Sequence, residues 1–184
     1  MLTAAIRKPT PSMELRAATP DDALCLSALA MQVFLDTYAT DGIRPALARE
    51  ALYSFSETVF RDAIVSSSNR LIVAEHKEHL IGFAQIAVSA THELAPLGTQ
   101  AALLRLYVQE PFTGAKVGTQ LLACAERSAA LAGASVLWLT HWVYNHRASA
   151  FYKRHGYQDF GSTPFVFEGE SHESRLVAKY VYAD

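Results

Sequence analysis

The chain is short of several things that would each have pointed to a function. Among its 184 residues there are only two cysteines, Cys25 and Cys124. They are far apart, and each lies among apolar residues in a segment that reads as a helix, so they are expected to be small packing residues in a reducing cytosol. No Cys/His spacing of the metal-ligating kind occurs, and no metal site is expected. Neither sign of charge is in large excess: 16 Lys and Arg face 18 Asp and Glu, for a net charge of −2. That balance argues against nucleic acid as the main partner, because phosphate-backbone binding relies on clustered cations. The run Lys153-Arg154-His155 is short and reads as a solvated helix face.

Long apolar runs are missing too. The opening MLTAAIRKPTPSM has no core long enough for a signal peptide, so residues 1–12 read as a flexible leader and 13–184 as one domain. Ser128 to Asn145 carries no Asp, Glu, Lys or Arg, but Gly133 breaks it and Ser135, Thr140 and His141 are polar. It reads as a helix end followed by a buried strand rather than a membrane span, and a cytoplasmic location is expected. Two phosphate signatures are also absent. Gly118 is followed by Thr119-Gln120 rather than by Lys-Ser or Lys-Thr, and Gly114 lies too far from Gly118 for G-x-G-x-x-G.

What is present is a core-forming composition, 51% hydrophobic, and a clear succession of elements. Glu14 to Ala18 is a first strand. Thr19-Pro20-Asp21-Asp22 opens a helix with a Thr cap, a proline at the first helical position and acids in the first turn, and the helix continues to about Tyr38. Helices follow over Pro45 to Tyr53 and from Ser56, as cap, to Val65. Leu71 to Glu75 and Leu80 to Ser89 form a hairpin about the polar turn His76 to His79. After a loop over Thr91 to Gln100 come a strand at 102–108, a helix from Gly118, and an apolar strand at Ser135 to Thr140. A helix over Asn145 to His155 is closed by Gly156. The last strands are Gln158 to Phe167 and Leu176 to Tyr182, separated by a polar bend from Glu168 to Ser174. This order predicts an α/β sandwich with a mixed sheet, the strands at 102–108 and 135–140 being parallel neighbours. A ligand is expected at their C-terminal ends.

The stretch from Leu104 to Leu122 organises the rest. An apolar strand, Leu104-Arg105-Leu106-Tyr107-Val108, breaks at Pro111 and passes through Thr113-Gly114-Ala115-Lys116-Val117-Gly118 into a helix. Backbone N–H groups at such a helix start, with the positive end of the helix dipole, attract phosphate. An ordinary tight turn gives the same pattern, so the loop alone does not decide. The helix at Asn145 adds a second pattern. Asn145, Ala148, Ser149 and Tyr152 fall at i, i+3, i+4 and i+7 on one face, with Phe151 one position round taking the core role. An amide, two small residues and a phenol suit close approach of a ligand. A half-buried tyrosine with its hydroxyl in solvent is the structural alternative for Tyr152.

Together these features resemble the GCN5-related N-acetyltransferase (GNAT) superfamily over nearly the whole chain, from about Glu14 to Tyr182. Leu106-Tyr107-Val108 with the loop 113–118 is similar to the family's acetyl-CoA motif. Asn145 to Tyr157, of the form N-x-x-A-x-x-F-Y-x-x-x-G-Y, is similar to its second motif. Gly161-Ser162 to Phe167 resembles, more weakly, the branch that includes PaiA-type spermidine/spermine acetyltransferases. The resemblance implies a GNAT-like α/β fold: a mixed, mostly antiparallel sheet with a splayed central parallel strand pair, flanked by helices on both faces. It implies acetyl transfer from acetyl-CoA, as cosubstrate and without a metal, to a primary amine by direct attack. Leu106, Tyr107 and Val108 would pair with the pantetheine arm. Thr113, Gly114, Ala115, Lys116, Val117, Gly118 and Thr119 would surround the pyrophosphate, with Asn145 and Ser149 also on the cofactor, and Tyr152 would protonate the leaving thiolate.

Three departures stand out. Thr113 occupies the family's Arg or Gln position, and Lys116 its middle glycine; a φ > 0 at Lys116 would cost about 1 kcal/mol. Ala102 stands where relatives often carry a Glu base, so His141, at the end of the parallel strand, is the substitute considered first, ahead of His92 and Glu93. A structural, hydrogen-bonded role is the alternative for His141. Tyr38, Asp36, Asp41 and Glu93 would suit a cationic acceptor, a polyamine or another small amine. A non-catalytic acyl-CoA sensor and a protein N-terminal acetyltransferase are the competing functions. The tail strands leave room for a homodimer.

Overall fold

The computed structural model describes residues 12–167 and 170–183. Seven strands hydrogen-bond in the order β1-β2-β3-β4-β5-β7-β6. They are β1 (Glu14–Ala17), β2 (Asn69–His76), β3 (His79–Ala87), β4 (Gln100–Val108), β5 (Val136–Trp142), β6 (Gln158–Phe167) and β7 (Glu170–Tyr180). The helices are α1 (Ala23–Tyr38), α2 (Pro45–Ser54), α3 (Glu57–Val65), α4 (Val117–Leu131) and α5 (His146–Arg154), with single 3-10 turns at Pro20–Asp22 and Glu110–Phe112. The expected leader falls almost wholly outside the described residues. No described helix is long and apolar enough to cross a membrane.

The chain divides into two compact units. One runs up to Gln85 and adds Arg105–Cys124; the other is Ile86–Leu104 with the chain from Ala125 onward. In the first, β1 pairs antiparallel with β2. Arg16 ties them to the start of α1, donating to both Asp22 carboxylate oxygens at 2.7 and 2.8 Å and to Glu75 at 2.7 Å. Phe83 on β3 packs with Leu26, Leu29, Phe55 and Phe60 from the helical layer of α1 to α3. Side chains alternate along a strand, so Gly82 faces the opposite side. There a Cβ would lie 2.7 Å from Tyr107 O and 3.2 Å from Leu121 of α4. Glycine at 82 lets the first turns of α4 settle onto the strand, and with them the loop that precedes the helix.

In the second unit a parallel ladder joins Gln100, Ala101 and Ala102 to Val136, Leu137 and Trp138. It is three residue pairs long; β4 runs on to Val108 and β5 to Trp142, the latter on β7. Val136 and Trp138 pack with Leu94, Ala95, Leu176 and Ala178. Leu137, Leu139 and His141 face the other way.

Two expectations require correction. Residues 170–174, read as a polar bend, begin β7, and the hairpin with β6 extends to the pair Phe167–Glu170. Cys25 is exposed on the outer face of α1, and Cys124 is half-buried; the buried positions of α1 are Ala23, Leu26, Ser27, Leu29 and Ala30.

Candidate active site

The strand–loop–helix stretch lies in the first unit. Beyond Tyr107 and Val108, a 3-10 turn carries the chain round, with Thr113 N–H and Thr113 Oγ1 both donating to Glu110 O at 3.0 and 2.7 Å. The Thr113 side chain therefore braces the loop. Ala115 and Val117 are 3% and 1% exposed, and Gly114 before them and Lys116 between them are exposed. This alternation anchors the loop by its small apolar side chains. A Cβ at Gly114 would meet nothing within 4 Å, and its φ of +78° lies in the left-handed region. The first helical bond of α4 runs from Gln120 N–H to Lys116 O at 3.0 Å. Helix geometry then leaves the N–H groups of Val117 and Gly118 without an intrahelical acceptor, at the positive end of the dipole. Of the amides expected to face phosphate, that of Ala115 is turned inward to Phe112 O, at 3.4 Å.

Lys116 has φ +65°. The position where the resemblance places a glycine thus has a left-handed backbone here while carrying a side chain. Leu106, Tyr107 and Val108 are half-buried. Tyr107 packs its ring against Phe83 and Phe55, with centroids 5.5 and 6.1 Å apart. Its phenol is pushed up by burial first and by Tyr38 next, while Arg105 pulls it down.

The second unit holds β5 and α5. Asn145 caps α5, its Oδ1 accepting from Ala148 N–H at 3.0 Å. That bond occupies the side-chain carbonyl and leaves the amide N–H groups to donate elsewhere. Ser149 is exposed, and Tyr152, two turns from the cap, is buried at 8%. Tyr152 rather than Phe151 is the more buried of the pair, which reverses the expected roles on that face.

The seat of Tyr152 follows from how α5 ends. Gly156, at φ +84°, breaks the helix. Its N–H donates to Lys153 O at 3.2 Å, and Tyr157 N–H reaches back to Tyr152 O at 3.1 Å. This is the Schellman pattern, which brings the residue after the glycine onto the last turn. The Tyr157 ring accordingly meets the Tyr152 ring at 5.4 Å, edge to face. Phe151 contacts it from the side at 5.2 Å, and the His141 ring lies nearly parallel, 18° off, at 6.5 Å. Tyr157 is itself 5% exposed. Its hydroxyl has no hydrogen-bond partner of ordinary geometry among the described residues. Burial, and then the nearby Glu126 charge, push its ionisation upward. Glu126 is held by Lys179 Nζ, at 3.0 and 2.8 Å from its two oxygens.

His141 Nδ1 lies 3.0 Å from Trp142 O. A carbonyl only accepts, so Nδ1 carries the hydrogen and Nε2 keeps the lone pair. His92 is differently engaged: its Nδ1 accepts from Leu94 N–H at 3.2 Å, and its ring packs on Trp138 at 5.1 Å. The basic nitrogen is thereby committed to the backbone, which removes His92 from the candidate bases. Glu93, Asp36 and Asp41 are exposed, and Ala102 is buried at 1%.

Two side chains passed over in the sequence belong in this account. Arg105 was absorbed into an apolar strand, yet it shares its strand face with Tyr107; a lone cation in such a run was the available signal. Tyr157 showed only as the end of a motif. Among the described residues no group of three or more His, Cys, Asp or Glu could hold a metal ion.

The chain is similar to several solved structures. The PaiA N-acetyltransferase of Thermoplasma acidophilum, solved in complex with coenzyme A, is 23% identical, with a TM-score of 0.74 over 92% of this chain and 99% of that one. A GCN5-related N-acetyltransferase from Rhodopseudomonas palustris is 20% identical, with a TM-score of 0.69 over 97% and 99%. NAA60 of Arabidopsis thaliana, in complex with a bisubstrate analogue, is 19% identical, with a TM-score of 0.69 over 94% and 100%. These likenesses establish the shared fold. The profile of the Acetyltransferase (GNAT) family matches residues 36–157, about two thirds of the sequence, and the chain belongs to that family.

Proposed function

We propose that the protein transfers an acetyl group from acetyl-CoA to a primary amine of a small molecule by direct attack. The observation that carries this reading is the start of α4. Its first intrahelical bond runs to Lys116 O, the N–H groups of Val117 and Gly118 have no intrahelical acceptor, and a Cβ at Gly114 would meet open space. That arrangement suits a pyrophosphate. Gly114, Lys116, Val117, Gly118 and Thr119 would hold it, and the backbone of Leu106 to Val108 would pair with the pantetheine arm as an added strand does. Asn145, through its amide N–H groups, and Ser149 would complete the binding residues.

The cosubstrate supplies an activated acyl group as a thioester. In the transfer the amine nitrogen bonds to the acyl carbon and the carbon–sulfur bond breaks, with the electron pair leaving on sulfur. Tyr152 gives its phenolic proton to that sulfur. An ordinary phenol ionises near pH ~10, so it holds its proton at neutral pH for delivery. The proton lost by the amine goes to Nε2 of His141, whose other nitrogen is fixed as a donor by Trp142 O.

Tyr152→Phe tests the reading. The variant is expected to fold, to bind acetyl-CoA as the native protein does, and to turn over about 10²–10⁴-fold more slowly, the range for loss of a general acid. Native turnover in that variant removes Tyr152 from the chemistry. Thr113, Lys116 and the Ala102 that stands in place of a Glu base are the features that favour a non-catalytic acyl-CoA sensor. Release of coenzyme A with a panel of amines separates that function from catalysis.

A further inference from the structure

Arg105 on β4 is a half-buried cation whose donors are mostly unspent. A guanidinium has five N–H groups. Here one donates to Gln85 Oε1, and another to Ser54 O at 3.3 Å. Gln85 is in turn fixed by donating to Asn69 Oδ1 at 3.1 Å. The guanidinium carbon stands 5.1 Å from the centre of the Phe55 ring and 5.7 Å from that of Phe60. Those rings are 4% and 0% exposed, so the charge is set against an apolar wall. Among the described residues, no carboxylate lies within ion-pair distance of Arg105. Burial accordingly works against its charged form, opposed by Tyr107 and Glu50 through space. Glu50 is directed by Ser54, whose Oγ donates to it at 2.5 Å. Tyr107 senses Tyr38, Arg105 and Glu50 together, and Tyr38 is 37% exposed, so the cluster opens to solvent on one side.

A desolvated cation with three free donors and no counter-ion is a costly arrangement unless an anion completes it, and a low-dielectric wall strengthens the attraction when one does. We propose that Arg105 binds a carboxylate carried by the acceptor, with Glu50 beside it facing an ammonium, so that the acceptor is amino-acid-like rather than a purely cationic polyamine. This rests on the amine-acetyltransferase reading and narrows its substrate class. The residues are all in the first unit, on β4, α1 and α2. Nothing but the guanidinium fork among them suits a carboxylate.

The test uses the full chain with saturating acetyl-CoA and matched acceptors: ω-amino acids of three to six carbons against alkylamines of equal length, and α-amino acids against their decarboxylated amines. The ratio of kcat/KM within each pair is compared between the native protein and Arg105→Gln, so that differences in amine basicity cancel. In at least one pair the native protein should favour the amino acid, and Arg105→Gln should lower that ratio at least tenfold. The amine partner and the KM for acetyl-CoA should stay within twofold. Arg105→Lys, which keeps the charge and loses the fork, should fall between, and melting curves of both variants show whether they fold. The proposal is overturned if the amines are preferred in every pair, if both members of each pair fall equally, or if the KM for acetyl-CoA rises instead, which would assign the anion to the cosubstrate. If nothing is acetylated, the transfer reading fails separately. The thermal shift given by each amino acid over its matched amine then decides: a larger shift in the native protein, lost in Arg105→Gln, supports the carboxylate site, and equal shifts overturn it.

Discussion

Replacing Lys116 by glycine should make the protein more stable. Lys116 has φ +65°, and its side chain is exposed. A left-handed backbone costs an L-residue about 1–2 kcal/mol through the clash of Cβ with the following carbonyl. Glycine removes that clash but gives up about 0.5–1 kcal/mol more backbone entropy on folding. The difference leaves about 0.5–1 kcal/mol in favour of glycine. For a chain of this length that corresponds to a rise in Tm of about 1–4 °C. Lys116→Ala is the control, since it keeps Cβ and therefore the strain, and should melt within a degree or so of the native protein. The two variants also separate backbone from charge in binding. Both lose the ammonium, and if it touches phosphate both should raise the KM for acetyl-CoA by a few-fold, equivalent to about 1 kcal/mol. Scanning calorimetry with and without coenzyme A reads both effects. A Lys116→Gly protein that melts below Lys116→Ala would refute the strain argument, because no compensating contact of the lysine side chain accounts for such an order.

Two further outcomes follow from particular contacts. Asp22 is held at a pKa of about 2, against 3.8 when free, chiefly by the hydrogen bonds from Arg16. A depressed carboxylate pKa contributes stability that is complete above the unfolded value and disappears as pH falls through the folded one. Asp22→Asn should therefore cost about 1–2 kcal/mol at pH 7, and denaturant titrations should show that gap closing between pH 4 and pH 2; a gap independent of pH would contradict the assignment. Tyr157→Phe removes a buried hydroxyl without an ordinary partner and should leave stability equal or raised. Tyr157→Leu removes the ring that Tyr152 rests on and should lower kcat with the KM for acetyl-CoA unchanged; equal kcat values in the two variants would show that the ring does not position Tyr152.

Much of the fold was legible because its elements bury one face and leave the other wet. The helices α2 and α3 carried the period of their element, and the hairpin was marked by its polar turn about Lys77 and Glu78. Legibility failed where that contrast was missing. Glu170 to Ser174 lie in β7 at the outer end of the sheet, where β6 is the last strand. The inward positions of that segment are the half-buried His172 and the buried Ser174, between the exposed Ser171 and Glu173, and because they are polar the alternation leaves no apolar trace in the sequence. Cys25 failed for a related reason. The apolar content of α1 is high all round, so the sequence does not say which apolar residues turn outward, and Leu24, at 64% exposure, joins Cys25 there. Arg105 sat in an apolar run that read as a strand. The run was right, and the charge within it was the informative residue.

The candidate site was legible in a different sense. The sequence offered candidate residues by type and spacing, and the structure shows how their neighbours place them. Tyr152 depends on the φ of Gly156, since that conformation turns Tyr157 back onto the helix and sets one aromatic ring against the other. The start of α4 depends on Gly82, where a Cβ would strike Tyr107 O on β4 and crowd Leu121 of α4. Lys116 belongs to the same class of position. Its left-handed backbone is kept although its residue type disfavours it, which shows that the buried anchors Ala115 and Val117 outweigh a local cost of about 1 kcal/mol. The loop is therefore determined by its anchors more than by its glycines. Lys116 adds a positive charge to the exposed side of the loop, and the loop holds a left-handed backbone there without a glycine.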